Sequence, residues 1–207
     1  MQERSDEILE ASRLMMRNGE REKACRLLSE AADRAVSEGF LEEAAIYSSV
    51  RASYLVAMGH DEHAYRWYRA AERLSGGNAY DKLITARHLL NGLGRAEDSL
   101  AKANEVLAEQ AVDDPAIRQE ALAIKGLSLL GLGRDSEVCS TFAELYAYLK
   151  STRIPAMSSD LTLVEELAGR RMCFEICRSY LGLVEARARE DHDARVLHRI
   201  SAIKLDE

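Results

Sequence analysis

Proline is nearly missing from this chain, with two in 207 residues, and phenylalanine is almost as scarce at three. The first scarcity permits long helices, because proline removes a helix hydrogen bond and clashes with the preceding turn. The second, beside an abundance of Ala, Leu, Glu and Arg, argues against strands, which favour aromatic and β-branched residues. An all-α chain is expected. No apolar run approaches the roughly 18 residues of a membrane span, and the opening MQERSDEILEASRLMMRNGE has no apolar core of secretory length. A soluble, cytoplasmic protein without a membrane partner is the expectation. Cysteine is sparse: Cys25, Cys139, Cys173 and Cys177 are too few for a disulfide scaffold and read as reduced thiols. Positive charge is not in excess either, since the formal net charge is −7, and a phosphate backbone would be repelled. No nucleic-acid partner is expected.

Catalytic motifs are missing as well. There is no glycine-rich phosphate loop after a strand, no GxSxG, no HExxH and no Cys and His dyad, so the chain is read as noncatalytic. His60 and His63 stand three apart with Asp61 and Glu62 between them. Structural zinc needs four ligands, and the acids are explained by a helix start, where the helix dipole favours them. Cys173 and Cys177 are four apart and would share a helix side, but no second pair lies nearby, so they read as small hydrophobes. Neither a metal nor a cofactor is expected. The 22 arginines against 6 lysines point to a GC-rich bacterial genome and carry no functional meaning.

What the chain does have is a period. Gly19, Gly39 and Gly59 are 20 apart, and Gly94 and Gly133 follow after 35 and 39; twenty residues is one helix and its turn. Glycine suits the end of each helix because it adopts a left-handed backbone at no steric cost. Five residues after Gly19, Gly59, Gly94 and Gly133 come Ala24, Ala64, Ser99 and Val138; nine after come Leu28, Tyr68, Ala103 and Phe142; twelve after come Ala31, Ala71, Val106 and Leu145. All are small or apolar, and these offsets fall on one helical face. That face is expected to be buried. Four before each glycine stand Met15, Leu55, Leu90 and Leu129, and seven before stand Ser12, Ala52, Arg87 and Gly126. Arg87 is the exception in a row of small residues.

This pattern resembles the tetratricopeptide repeat family, whose units are antiparallel helix pairs with a small residue in the first helix, a turn glycine and an alanine five residues on. The best unit is Ala52, Leu55, Gly59, Ala64, Tyr68 and Ala71. The spacings of 40, 35 and 39 residues exceed the family's usual length of about 34. Ile8, Ser48, Leu83 and Leu122 stand where a large aromatic is usual. The resemblance implies a right-handed α-solenoid with four helical hairpins over 1–150, a loop at 151–160 and C-terminal helices over 161–207 that cap the array or form an oligomer interface.

STRIPAMSSD, residues 151–160, breaks the pattern with Pro155 and a run of hydroxyl residues. From Leu161 to Ala186 the apolar residues predict one long helix or two short ones, and Val196, Leu197, Ile200 and Ile203 predict another from Asp193 to Lys204. The apolar strip through Phe174, Tyr180 and Val184 spreads wider than one neighbour covers, which favours a homodimer through these helices unless the last helix folds back.

The resemblance implies a concave groove lined by the first helix of each unit. Ligand positions carried over onto this chain are Asp6, Arg13 and Arg17, then Ser49 and Ser53, then Asp81, His88 and Asn91, and Glu120. Trp67 has two readings, burial between repeats or a contact anchor for a partner. Arg66, Arg69 and Arg73 form a solvated stripe. The expected function is a noncatalytic interaction module, a scaffold, adaptor or dedicated chaperone, that holds a peptide or helix of another protein. The alternatives are a regulator that senses a small peptide or metabolite, and a self-assembling subunit.

Overall fold

The computed structural model describes residues 2–109, 114–155, 161–203 and 205, with side chains from Ser5 onward. Every regular element among them is an α-helix: α1 (Gln2–Arg17), α2 (Arg21–Glu38), α3 (Leu41–Ala57), α4 (Asp61–Leu74), α5 (Ala79–Asn91), α6 (Ala96–Ala108), α7 (Pro115–Gly131), α8 (Asp135–Ser151), α9 (Thr162–Gly169), α10 (Phe174–Glu190) and α11 (Ala194–Ala202). None is long and apolar enough to cross a membrane. The chain divides into two compact units, Met1–Arg95 and Ala96–Glu207. The boundary thus falls inside the third expected hairpin, and the helices after residue 160 belong to the second unit.

In the first unit each helix packs on the next, from α1 through α5. The repeat offsets account for this order. Ala24 and Ala64 are 0% exposed, and Leu28, Ala31, Tyr68 and Ala71 are all buried. Their small side chains let helix axes approach closely, so that Leu28, Ala31, Ala32 and Ala35 of α2 meet Ala44 and Tyr47 of α3. Further along, Cys25 packs with Ala52, Leu55, Ala64 and Tyr68. Ser12, also fully buried, donates its hydroxyl to the Leu9 carbonyl at 2.7 Å, and lies 3.2 Å from the Tyr54 hydroxyl.

The turns show why Arg87 broke the pattern. Gly19, Gly59, Gly94 and Gly133 all have positive φ, and the residue after each donates its N–H back to the last helical turn. Those bonds run from Glu20 to the Met15 carbonyl, His60 to Leu55 and Arg134 to Leu129, but from Arg95 to Leu89. The third turn therefore holds one residue more: Gly92 and Leu93 precede Gly94, where a single residue precedes the glycine elsewhere. Counted from the hydrogen bond, the small residue of α5 is Ala86, 0% exposed, and the leucine is Leu89. Arg87 stands one position outside the row.

In the second unit α6 packs on α7, α7 on α8 and α9, and α10 on α8, α9 and α11. Gly126 is small for a reason: a Cβ there would lie 2.6 Å from Cδ2 of Leu163 in α9. Ser128 donates its hydroxyl to the Ser99 hydroxyl at 2.9 Å. Leu122, Leu129, Phe142, Leu145 and Leu149 form one core with Leu163, Val164, Leu167, Tyr180 and Val184.

This core corrects the expectation of an exposed strip. Tyr180 and Val184 are 0% exposed and only Phe174 is half-buried, because α9 is a separate short helix that covers one side while Val196, Ile200 and Ile203 pack against the same core. The last helix does fold back. Lys204, its expected end, lies outside the described residues, as does 156–160 of the expected loop. A second correction concerns the cysteines: Cys139 and Cys173 form a disulfide, while Cys25 and Cys177 are free and buried. Sequence spacing paired Cys173 with Cys177 along one helix, but Cys173 is the residue before α10 with φ of 50°, and that turn of the backbone directs it to α8.

Candidate functional site

Six large hydrophobic side chains are exposed among the described residues: Leu14, Val36, Leu41, Ile46, Val56 and Tyr80. All belong to the first unit, although the second unit has the larger apolar core. Scattered exposed hydrophobics are ordinary, whereas those that share a face beside a cleft mark an interaction site. Four of the six lie on two helices, Leu41, Ile46 and Val56 on α3 and Tyr80 on α5. On α3, Ile46, Ser49, Ser53 and Val56 recur at spacings of three and four and so share a face, and on α5 Tyr80, Ile84, Arg87 and Asn91 do the same.

A cleft of about 410 Å³ opens at one end of this surface, lined by Glu42, Ile46, Ser49 and Val50 of α3 and by Asn78, Tyr80 and Asp81. Asn78 shapes it, since its side chain accepts the Asp81 N–H at 2.8 Å and thereby starts α5 with Tyr80 at the lip, 59% exposed. A second cleft of about 440 Å³ lies at the other end, among Val56, Asp61, Tyr68, Ile84, Arg87, His88 and Asn91. Its floor is rigid. The His88 Nε2 lies 2.8 Å from the Asp61 carbonyl oxygen, and the His88 ring sits 5.2 Å from that of Tyr68. Burial, with a smaller contribution from Tyr80, raises the Tyr68 hydroxyl above its ordinary value. It stays protonated at neutral pH.

Asp6, Arg13 and Arg17 are exposed on α1, with Arg13 3.1 Å from Glu10. Ser49 lines the first cleft, and Ser53 is exposed with its hydroxyl donated to the Val50 carbonyl at 2.7 Å. Asn91 is exposed at the second cleft, whereas Asp81 and His88 are buried. Both follow from the longer third turn, which rotates α5 by one position and brings Tyr80 and Arg87 to where Asp81 and His88 were expected. Trp67 is half-buried on the α4 side of α3, its ring 3.9 Å from the Arg51 guanidinium. Glu120 is half-buried on α7, in the other unit. His60 and His63 are both exposed, their rings 6.2 Å apart, and the described residues contain no group of three or more His, Cys, Asp or Glu placed to hold a metal.

Ile46, Val56 and Tyr80 were absent from the expected site. The first two stand thirteen and three before Gly59, at groove offsets already in hand, and only their apolar character hid them. Tyr80 needed the extra turn residue to be seen.

No protein-family model matches the chain, and no curated protein matches it. Solved structures do. A Podosopora anserina kinesin light chain of nearly identical TPR-like repeats is similar with a TM-score of 0.63 at 16% identity, over 92% of this chain and 98% of that one. PilW, a widely conserved type IV pilus biogenesis factor, is similar with a TM-score of 0.60 at 18% identity, over 96% of this chain and 90% of that one. The likeness is one of fold. The regular helix succession, the buried small-residue rows and the glycine turns give this chain the tetratricopeptide-like helical-repeat fold.

Proposed function

We infer that the protein is a noncatalytic interaction module that holds a peptide or helix of another protein on the α3 and α5 face of its first unit. The observation that carries this reading is the line of Ile46, Val56 and Tyr80 with a cleft at each end. Tetratricopeptide-like repeats generally serve as protein-binding modules, and large side chains left exposed beside clefts are what such binding uses. Ser49, Ser53, Arg87 and Asn91 supply polar contacts around the apolar centre, and Asp6, Arg13 and Arg17 of α1 extend the surface. The test is selection from a random peptide display library against the whole chain. A selected peptide should bind wild type, and the double variant Ile46→Asp with Tyr80→Ala should weaken it at least tenfold, about 1.4 kcal/mol, in fluorescence anisotropy. Failure of any peptide to enrich, or equal affinity for the variant, overturns the reading.

A second reading rests on the cleft volumes, which fall within the roughly 300–1,000 Å³ of small-molecule sites. A regulator sensing a small peptide or metabolite would be stabilised by its ligand, by about 2.7 kcal/mol at 100 times its dissociation constant. Thermal shift against metabolite libraries separates this from the first reading.

A further inference from the structure

The corner between α9 and α10 is built unlike the turns of the repeats. Its hydrogen bonds are the same: Arg171 donates its N–H to the Ala168 carbonyl at 3.0 Å, and Met172 donates to that of Leu167 at 2.9 Å. The left-handed position is filled differently. Where the repeat turns place glycine, this corner has Arg171 at φ of 56°, and two residues later Cys173 repeats the strained conformation at 50°. L-residues avoid this region because Cβ crowds the following carbonyl. Two such residues within three persist only where the surroundings hold them.

His192 takes the Arg171 position at the corner between α10 and α11, with φ of 56° and no covalent tie, so the second left-handed residue and its covalent bond are what set the α9–α10 corner apart. Cys173 is bonded to Cys139 in the second turn of α8, and that bond anchors the corner where few packing contacts do: Gly169, Arg170 and Arg171 are exposed, and Met172 and Cys173 are only half-buried. Neither half of the bond is sealed in the core, because Cys139 is also half-buried. Cys177, one turn beyond, does not compete for it. Its thiol is fully buried and faces the Met172 carbonyl at 3.5 Å.

We propose that the Cys139–Cys173 disulfide is a reducible clamp on the α9–α10 corner, closed to fix the two left-handed residues and opened by a dithiol reductant. The exchange balances. A thiolate of the dithiol attacks one sulfur of the disulfide, which breaks the S–S bond and leaves a mixed disulfide. The second thiolate of the reductant displaces that sulfur, so the reductant leaves as its own disulfide. Cys139 and Cys173 together gain two electrons and two protons. Disulfides that are not sealed in the core are the ones open to such exchange, and the core beneath, centred on Phe142 and Tyr180, is packed from apolar side chains of α7, α8 and α10.

Arg170 and Arg171 make the clamp measurable, because trypsin cleaves after arginine only where the backbone can leave its folded conformation. The full chain is incubated with a dithiol under native conditions, the free thiols are trapped by alkylation, and cleavage after Arg170 and Arg171 is followed by mass spectrometry. Opening should raise that cleavage rate at least tenfold with the far-ultraviolet dichroism unchanged. Cys139→Ser should show the fast rate with or without dithiol. Should that variant fail to fold, wild type compared with and without dithiol still decides the matter. An unchanged rate once alkylation shows both thiols free, or a disulfide that dithiol leaves intact in the folded chain, overturns the proposal.

Discussion

Cys177 shows how far one residue's meaning depends on its surroundings. In sequence it is half of a possible ligand pair, yet in the fold it is a small core residue whose thiol burial pushes up to about 11 from the ordinary 9.0. The sign follows directly. Folding favours the protonated thiol, so its contribution is complete below pH 9 and is lost as pH rises toward 11. The loss should amount to about 2 kcal/mol by pH 11, and Cys25, also raised by burial, acts in the same direction. Urea unfolding at pH 8 and pH 10.5 should show a smaller alkaline loss for Cys177→Ala than for wild type; equal losses would place the sensitivity elsewhere. Trp67 makes the parallel point. Its two readings could not be separated from sequence, and the Arg51 guanidinium 3.9 Å from its ring shows an amphipathic packing position.

Helix α10 is the element on which the second unit turns. Its inward residues Tyr180, Leu181 and Val184 are buried, while Arg187 reaches past the end of α8 and donates to the carbonyls of Leu149, Thr152 and Ile154. Carbonyls at a helix C-terminus lack partners within the helix and lie at its negative end, so a guanidinium there satisfies both needs. Arg187→Met keeps the apolar stem and removes the donors. A loss of about 2–3 kcal/mol is expected in urea denaturation, with Arg187→Lys recovering part of it; a loss within experimental error would mean that water replaces the arginine. The expectation of one or two helices between Leu161 and Ala186 resolves as two because the chain turns left-handed at Arg171 and Cys173. Gly169 is a possible interruption in the sequence and is the last residue of α9, but the left-handed positions fall beyond it on arginine and cysteine, neither of which prefers them.

For the molecule as a whole, the oligomer expectation is the one most changed by packing. Tyr180 at 0% exposure is a core residue, and its ring lies 5.2 Å from that of Phe142. Tyr180→Glu should therefore unfold the second unit rather than release a folded monomer, because an unpaired buried carboxylate costs as much as a domain's whole margin of roughly 5–15 kcal/mol. Half-buried Phe174→Glu should stay helical. Circular dichroism and sedimentation together check this, and a folded, fully helical Tyr180→Glu would return the residue to a surface. What the sequence by itself determined was the helical class, the turn glycines and the buried rows at offsets five, nine and twelve, because each depends on spacing within one helix and its adjoining turn. The rotation of α5, which exchanges Asp81 and His88 for Tyr80 and Arg87, is local too, but it rests on the turn hydrogen bond from Arg95 to Leu89, which glycine spacing does not show. Tertiary structure alone decided which cysteines meet and what covers Tyr180 and Val184. Those outcomes depend on which helices come together across the fold, and periodicity along a single helix carries no information about its distant neighbours.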